Sequence, residues 1–181
     1  MEKHDTFTIG KFKFEKKISA EIIQDKVREI AARITKDFEG RQLTYIIVLK
    51  GAFIYASDLI RNIPLRSEIL FIDSKSYGKN FKSTGEVSLN LLNIDISGKD
   101  VLIIEDIIDS GKTMKAVIEA LKELNPSSIS LTAIFSKSSL REVELEVDYL
   151  GYDIPPDFIV GYGLDYAEQG RHLPDVYAKI D

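Results

Sequence analysis

Residues 101–113 read Val-Leu-Ile-Ile-Glu-Asp-Ile-Ile-Asp-Ser-Gly-Lys-Thr: a β-branched apolar run, an acidic pair at Glu105 and Asp106, a third carboxylate at Asp109, and a short polar loop. The apolar run predicts a buried strand, and the loop predicts entry into a helix. An acidic pair suits ribose hydroxyls or Mg²⁺, whereas Asp109, Ser110, Gly111, Lys112 and Thr113 offer backbone N–H and side-chain donors to a phosphate. Anionic oxygens settle at such a loop because the first helical N–H groups lack internal partners and the dipole favours negative charge. Carboxylates and a phosphate cradle within nine residues point to a sugar phosphate held with metal.

Gly111-Lys112-Thr113 also matches the end of the nucleoside-triphosphate P-loop. That fingerprint needs a glycine five residues before Gly111, where this chain has Asp106, and a carboxylate there would point charge at the triphosphate. The P-loop reading fails. Gly161-Tyr162-Gly163 is no better as a dinucleotide loop, since Tyr166 stands where the third glycine belongs.

Outward from this stretch the chain alternates strand and helix patterns. Phe7, Ile9, Phe12 and Phe14 suit short extended segments around Gly10. From Ser19, a good N-cap, apolar residues recur at Ile23, Val27, Ile30, Ile34 and Phe38, one face of a helix that stops at Gly40. Strands are predicted at 43–49, 69–72, 87–92, 101–105, 129–135, 147–150 and 158–160, with helices at 52–61 and 113–124. Residues 176–180 read as an edge strand. The pattern predicts an α/β fold, a mostly parallel sheet flanked by helices on both faces. Lys50-Gly51, Glu105 to Thr113, and Ser136-Lys137 all begin where strands end, which predicts one shared site at the carboxyl edge of the sheet.

Composition removes several function classes. The 181 residues suit one domain, and a net charge of −5 gives no basis for general nucleic-acid binding. Without cysteine there are no disulfides, thiolate nucleophiles or cysteine–zinc sites, and the two histidines, His4 and His172, are too few for a zinc cluster. No signal-like opening and no apolar run near twenty residues is present, so a cytoplasmic protein without membrane contact is expected.

The central segment resembles the phosphoribosyl pyrophosphate (PRPP) loop of type I phosphoribosyltransferases. Leu49-Lys50-Gly51, Lys75-Ser76-Tyr77-Gly78 with Ser83-Thr84-Gly85, Lys137, and the run from Phe158 through VGYGLDYAEQGR to Arg171 follow one another in an order similar to that of the hypoxanthine–guanine phosphoribosyltransferases of purine salvage. That resemblance spans roughly residues 20–178. It implies Mg²⁺-dependent transfer of the 5-phosphoribosyl group from PRPP to N9 of a 6-oxopurine base, giving IMP or GMP and pyrophosphate. It also implies a homodimer or homotetramer, and a single domain over 1–181 with a lid about 73–86 and a small purine-binding hood about 150–181.

By the same resemblance Asp109 is the catalytic base, and Asp109 to Thr113 hold the 5′-phosphate. Glu105 and Asp106 face the ribose hydroxyls and their magnesium, and Asp165 is the second metal-binding carboxylate. Lys50, Gly51 and Arg171 match the pyrophosphate site, in a loop where the family often has a non-proline cis peptide. Ser76 and Tyr77 form the working tip of the lid. Lys137 donates to the purine O6, Phe158 stacks on the ring, and the Ile159 carbonyl accepts from a guanine 2-amino group. Two departures stand out: Ser138-Ser139 replaces a more basic or proline-containing stretch, and Ala52 stands where many relatives have Gly or Ser. The rival from another class is a PRPP-sensing regulator on the same fold. Orotate- or adenine-specific transfer is disfavoured by the C-terminal run.

Overall fold

The computed structural model describes residues 5–73 and 94–180. The proposed lid beyond Asp73, with Ser76 and Tyr77, and the strand expected at 87–92 lie outside the described residues.

Five strands form the main sheet: β3 (Leu43–Leu49), β4 (Ser67–Asp73), β5 (Asp100–Ile108), β6 (Ser128–Ser136) and β7 (Tyr149–Asp153), in the order β4-β3-β5-β6-β7. All four pairings are parallel. Parallel strands need long crossovers and covered faces, so their sequences are apolar on both sides. In β3, alternate residues serve alternate layers. Tyr45 and Ile47 pack toward helices α1 (Ala20–Asp37) and α2 (Phe53–Arg61), while Ile46 and Val48 pack toward α3 (Lys112–Lys122).

Helix α1 is built as its pattern predicts. Ser19, extended at φ −79° and ψ 154°, accepts from the Ile22 N–H, and the buried face is Ile23, Val27, Ile30, Ala31 and Ile34. Between α2 and the sheet, Tyr55 donates to Thr132 Oγ1 at 2.6 Å, and Thr132 passes its own proton to the Tyr149 carbonyl at 2.9 Å. That chain satisfies buried hydroxyls that would otherwise cost about 1–3 kcal/mol each.

A second, antiparallel sheet runs β1 (Thr6–Ile9), β2 (Phe12–Ile18), β9 (Val176–Lys179), β8 (Ile159–Val160). The strand expected at 147–150 is found at Tyr149–Asp153 as the edge of the main sheet, and the N-terminal hairpin supplies half of this second sheet. β9 is central rather than an edge, being paired on both sides. Among the described residues no helix is long and apolar enough to cross a membrane.

Candidate active site

Strand order reverses between β3 and β5, since β4 lies on one side of β3 and β5 on the other. Ligands of open α/β sheets bind at such a point, beyond the carboxyl ends of the strands. A cavity of about 320 Å³ lies there, lined by Lys50 and Gly51 after β3, Glu105, Asp106 and Asp109 of the β5 segment, Lys137 after β6, Phe158 and Ile159 at β8, and Asp165 and Arg171. The structure therefore brings ten of the sequence-predicted residues to one wall. Ser110, Gly111, Lys112 and Thr113 continue from Asp109 into α3, beside this cavity rather than lining it.

β5 runs to Ile108, three residues beyond the expected end at 105, so the acidic pair belongs to the strand itself. Both carboxylates are buried, and burial together with the neighbouring Asp106 charge holds the Glu105 carboxyl well above the usual carboxylate range. Glu105 Oε1 accepts from the Asp106 N–H at 2.9 Å, and Asp106 Oδ1 from the Ile107 N–H at 2.8 Å. The other Asp106 oxygen presses on the β3 loop: a Cβ on Gly51 would lie 1.6 Å from Asp106 Oδ2. A side chain at position 51 would have to displace the Asp106 carboxylate. The non-proline cis peptide expected around Lys50-Gly51 falls at Leu49–Lys50, one bond earlier.

Lys137 has a 7% exposed residue surface, unusual for lysine, and its Nζ lies 3.1 Å from Asp109 Oδ1. Its main chain is fixed by the Lys137 N–H donating to the Ile108 carbonyl at 2.9 Å. The serines that depart from the family pattern have a local task at their first member: the Ser138 N–H and hydroxyl both donate to Asp153, at 2.9 and 2.5 Å. Ala52 is fully buried at the start of α2.

On the hood side, Phe158 is 44% exposed although aromatic, with edge contacts to Tyr166 at 5.8 Å and a tilted contact to Phe14 at 6.5 Å. Its exposed part lines the cavity. The Lys179 N–H donates to the Phe158 carbonyl at 2.9 Å, and Ile159 faces Ala178 across the ladder. Hydrogen-bonded and non-bonded pairs alternate in an antiparallel ladder, so the Ile159 carbonyl points away from β9, toward the open edge of the sheet.

The 161–171 segment is a cationic clamp held by its own acids. Arg171 Nη2 reaches Asp165 Oδ1 at 2.6 Å and Glu168 Oε2 at 3.1 Å, and Nη1 donates to the Gly163 carbonyl at 2.8 Å. Lys50 Nζ lies 3.4 Å from the same Glu168 carboxylate. Asp165 Oδ2 accepts from the Glu168 N–H at 2.7 Å. Glu168, which sequence reasoning did not single out, thus ties the β3 loop to the C-terminal run. Its signal was only its place inside that run.

The donor set suits Mg²⁺ carried in with a polyphosphate. Among the described residues no group of three or more His, Cys, Asp or Glu side chains forms a ready-made cage. Mg²⁺ is typically bound by one or two carboxylates plus substrate oxygens, which the hard oxygens of Glu105 and Asp106 on one side and Asp165 on the other can provide.

Comparison with known proteins agrees with this geometry. The family described as phosphoribosyl transferase domain matches residues 18–167. The chain is 42% identical over 158 residues to a Listeria monocytogenes protein named bifunctional protein TilS/HprT, covering 87% of this chain but 24% of that one. It therefore spans about a quarter of the length of that relative. It is also 42% identical to the Bacillus subtilis hypoxanthine-guanine phosphoribosyltransferase, covering 87% of this chain and 88% of that one. A crystal structure of a hypoxanthine-guanine phosphoribosyltransferase from Bacillus anthracis superposes with a TM-score of 0.83 at 41% identity, over 91% of this chain and 97% of the other. With a parallel sheet whose switch point carries this wall of residues, the chain belongs to the phosphoribosyl transferase domain family, among the hypoxanthine–guanine phosphoribosyltransferases.

Proposed function

We propose that this protein transfers the 5-phosphoribosyl group of PRPP to N9 of hypoxanthine, and of guanine, giving IMP or GMP and pyrophosphate in purine salvage. The observation that carries this reading is the Lys137–Asp109 pair, a donor-only ammonium and a carboxylate 3.1 Å apart on the cavity wall. A 6-oxopurine presents O6 and N7 side by side on one edge, on the order of 3 Å apart. The ammonium donates to O6 while Asp109 accepts the N7 proton.

In this reading Phe158 stacks on the base and the Ile159 carbonyl takes the 2-amino group of guanine. The chain from Asp109 to Thr113 holds the 5′-phosphate, with Glu105 and Asp106 at the ribose hydroxyls. As the N9–C1′ bond forms and the bond from C1′ to pyrophosphate breaks, ribose gains positive character and the leaving group gathers negative charge. Arg171, Lys50 and the main chain around Gly51 face the departing pyrophosphate. Fixed cations aimed at developing charge are worth more in a water-poor site than in bulk. Mg²⁺ bound with PRPP at Glu105, Asp106 and Asp165 supplies further neutralisation of pyrophosphate oxygens.

A cytoplasmic enzyme assembling as a homodimer or homotetramer, without nucleic-acid or membrane partners, goes with this reading. Its support is the acidic, cysteine-free composition and the resemblance to the family. The test is to mix purified protein with PRPP, Mg²⁺ and hypoxanthine and to follow IMP and pyrophosphate together. Equimolar appearance of both is expected. PRPP binding without any IMP would establish the PRPP-sensing alternative instead.

A further inference from the structure

Behind the phosphate loop lies a cation that none of these roles uses. Arg141 follows the 3₁₀ turn Ser138–Leu140, and its Nη2 donates to the buried Ser136 hydroxyl at 2.7 Å. Its Nε and Nη1 are buried and, among the described residues, have no hydrogen-bond partner. No described carboxylate pairs with it; Asp153 is near enough to feel its charge but is occupied by Ser138. Burying an ion without a counter-charge is unfavourable unless something supplies that charge.

The guanidinium leans on the loop at its tightest point. Gly111 starts α3 at φ +82°, and a Cβ there would lie 2.9 Å from Arg141 Cδ and 3.4 Å from Arg141 Nη1. The next residue is tied to the loop as well, the Glu142 N–H donating to the Ser110 carbonyl at 3.0 Å. Lys112, the loop's own cation, is turned outward to pair with Glu142. Arg141 thus places a positive charge behind the Ser110–Gly111 backbone, at the N-terminal end of α3, whose dipole favours an anion and which has no side-chain cap.

We propose that Arg141 is a positioning residue for the phosphate monoester, and that the 5′-phosphate dianion, held on the opposite side of the loop backbone, is its missing counter-charge. This rests on the phosphoribosyl reading of the loop and adds to it the group that makes the loop select a dianion over a neutral hydroxyl.

The experiment compares inosine 5′-monophosphate with inosine, which lacks the phosphate, by calorimetric binding and thermal melting of wild type, Arg141→Met and Arg141→Gln. The ratio of IMP to inosine affinity should fall on the order of tenfold or more in Arg141→Met, as loss of an interaction with a charged group implies. Inosine affinity should stay level; the ligand-free melting temperature is a folding control, since losing the bond to Ser136 lowers it whatever the phosphate does. Arg141→Gln, which keeps a donor for Ser136 but no charge, should show the same reduced ratio, and it serves alone if the methionine variant does not fold. In steady state the loss should appear in KM for PRPP more than in kcat. An unchanged affinity ratio with a lower ligand-free melting temperature would mean that Arg141 is only a brace for Ser136 and the loop. A wild type that does not distinguish IMP from inosine would overturn the phosphoribosyl reading, and this proposal with it.

Discussion

At Asp109 and Lys137 opposite charges sit 3.1 Å apart before any base is present, with the lysine almost enclosed and the aspartate half exposed. On the proposed function a purine enters between them, trading one ion pair for two hydrogen bonds along its O6–N7 edge. Adenine carries a donor where hypoxanthine has O6, and an ammonium has only donors, so the pair is left poorly matched in a desolvated wall. Sites built around a required hydrogen bond discriminate by about 10⁴–10⁵-fold. Lys137→Met should therefore collapse the hypoxanthine-to-adenine ratio of kcat/KM, and a ratio equal to wild type would mean that another group reads C6. Asp109→Asn should keep PRPP binding while lowering turnover by about 10²–10⁴-fold, the usual worth of a general base; wild-type rates in a single-turnover assay would exclude Asp109 from proton transfer. Motif order and spacing singled out both residues in the sequence, and the structure brings them to one cavity. Arg141 was not singled out, because its meaning comes from the unpartnered nitrogens and the contact with Gly111, which only the folded chain brings about.

Among the elements, two loops meet with no room to spare. Gly163, at φ +99°, brings the 161–165 turn so close to the β3 loop that a Cβ on it would lie 2.1 Å from the Gly51 carbonyl oxygen. Gly163→Ala should cost roughly 2–4 kcal/mol, combining backbone strain with a clash against main chain. Gly98→Ala, also at positive φ (+68°) but with open space around it, should cost only about 1 kcal/mol. Urea unfolding of the two variants measures the difference, and equal losses would refute close approach as the reason. Asp175 joins the hood to α1: its Oδ1 accepts from the Ala20 N–H at 2.7 Å, and Oδ2 lies 3.1 Å from Lys16 Nζ. Burial acts to raise its pKa, but the Ala20 N–H, Lys16 and the Tyr177 hydroxyl outweigh it and hold the carboxyl below its usual range. A depressed folded pKa gives stability that is fully present above the unfolded value of about 3.9 and is lost as pH falls through the folded value. Asp175→Asn should thus be less stable than wild type at neutral pH by about 1–3 kcal/mol. The gap should narrow below about pH 4, as denaturation midpoints across pH 2.5–7 can establish; a gap independent of pH would remove the carboxylate from the account. The helices and buried strands were legible from apolar periodicity. The hood was not: β2 pairs with β9 across most of the chain, and no local pattern tells a four- or seven-residue strand which distant segment it will join.

On the proposed function the whole molecule divides labour between its two sheets: the acids and the phosphate loop at the end of the parallel sheet hold the sugar phosphate, and Phe158 and the Ile159 carbonyl of the antiparallel hood meet the base. The sequence pointed to the sugar-phosphate end through its acidic pair and glycine-containing loop after an apolar run, and to the base-binding end only through the family resemblance; the second, antiparallel sheet and its N-terminal half required the structure. If the division is right, the parallel sheet binds PRPP whatever base is offered, and the wall made by Lys137, Asp109, Phe158 and Ile159 alone decides which base reacts. The measurement that tests this most directly is the rate of nucleotide formation by the wild type at saturating PRPP and Mg²⁺, with hypoxanthine, guanine, adenine and orotate supplied one at a time and each product identified by mass. The account predicts IMP and GMP, hypoxanthine ahead of guanine, with adenine and orotate lower by several orders of magnitude. Efficient AMP or orotidine monophosphate formation, or no nucleotide from any of the four, would contradict it.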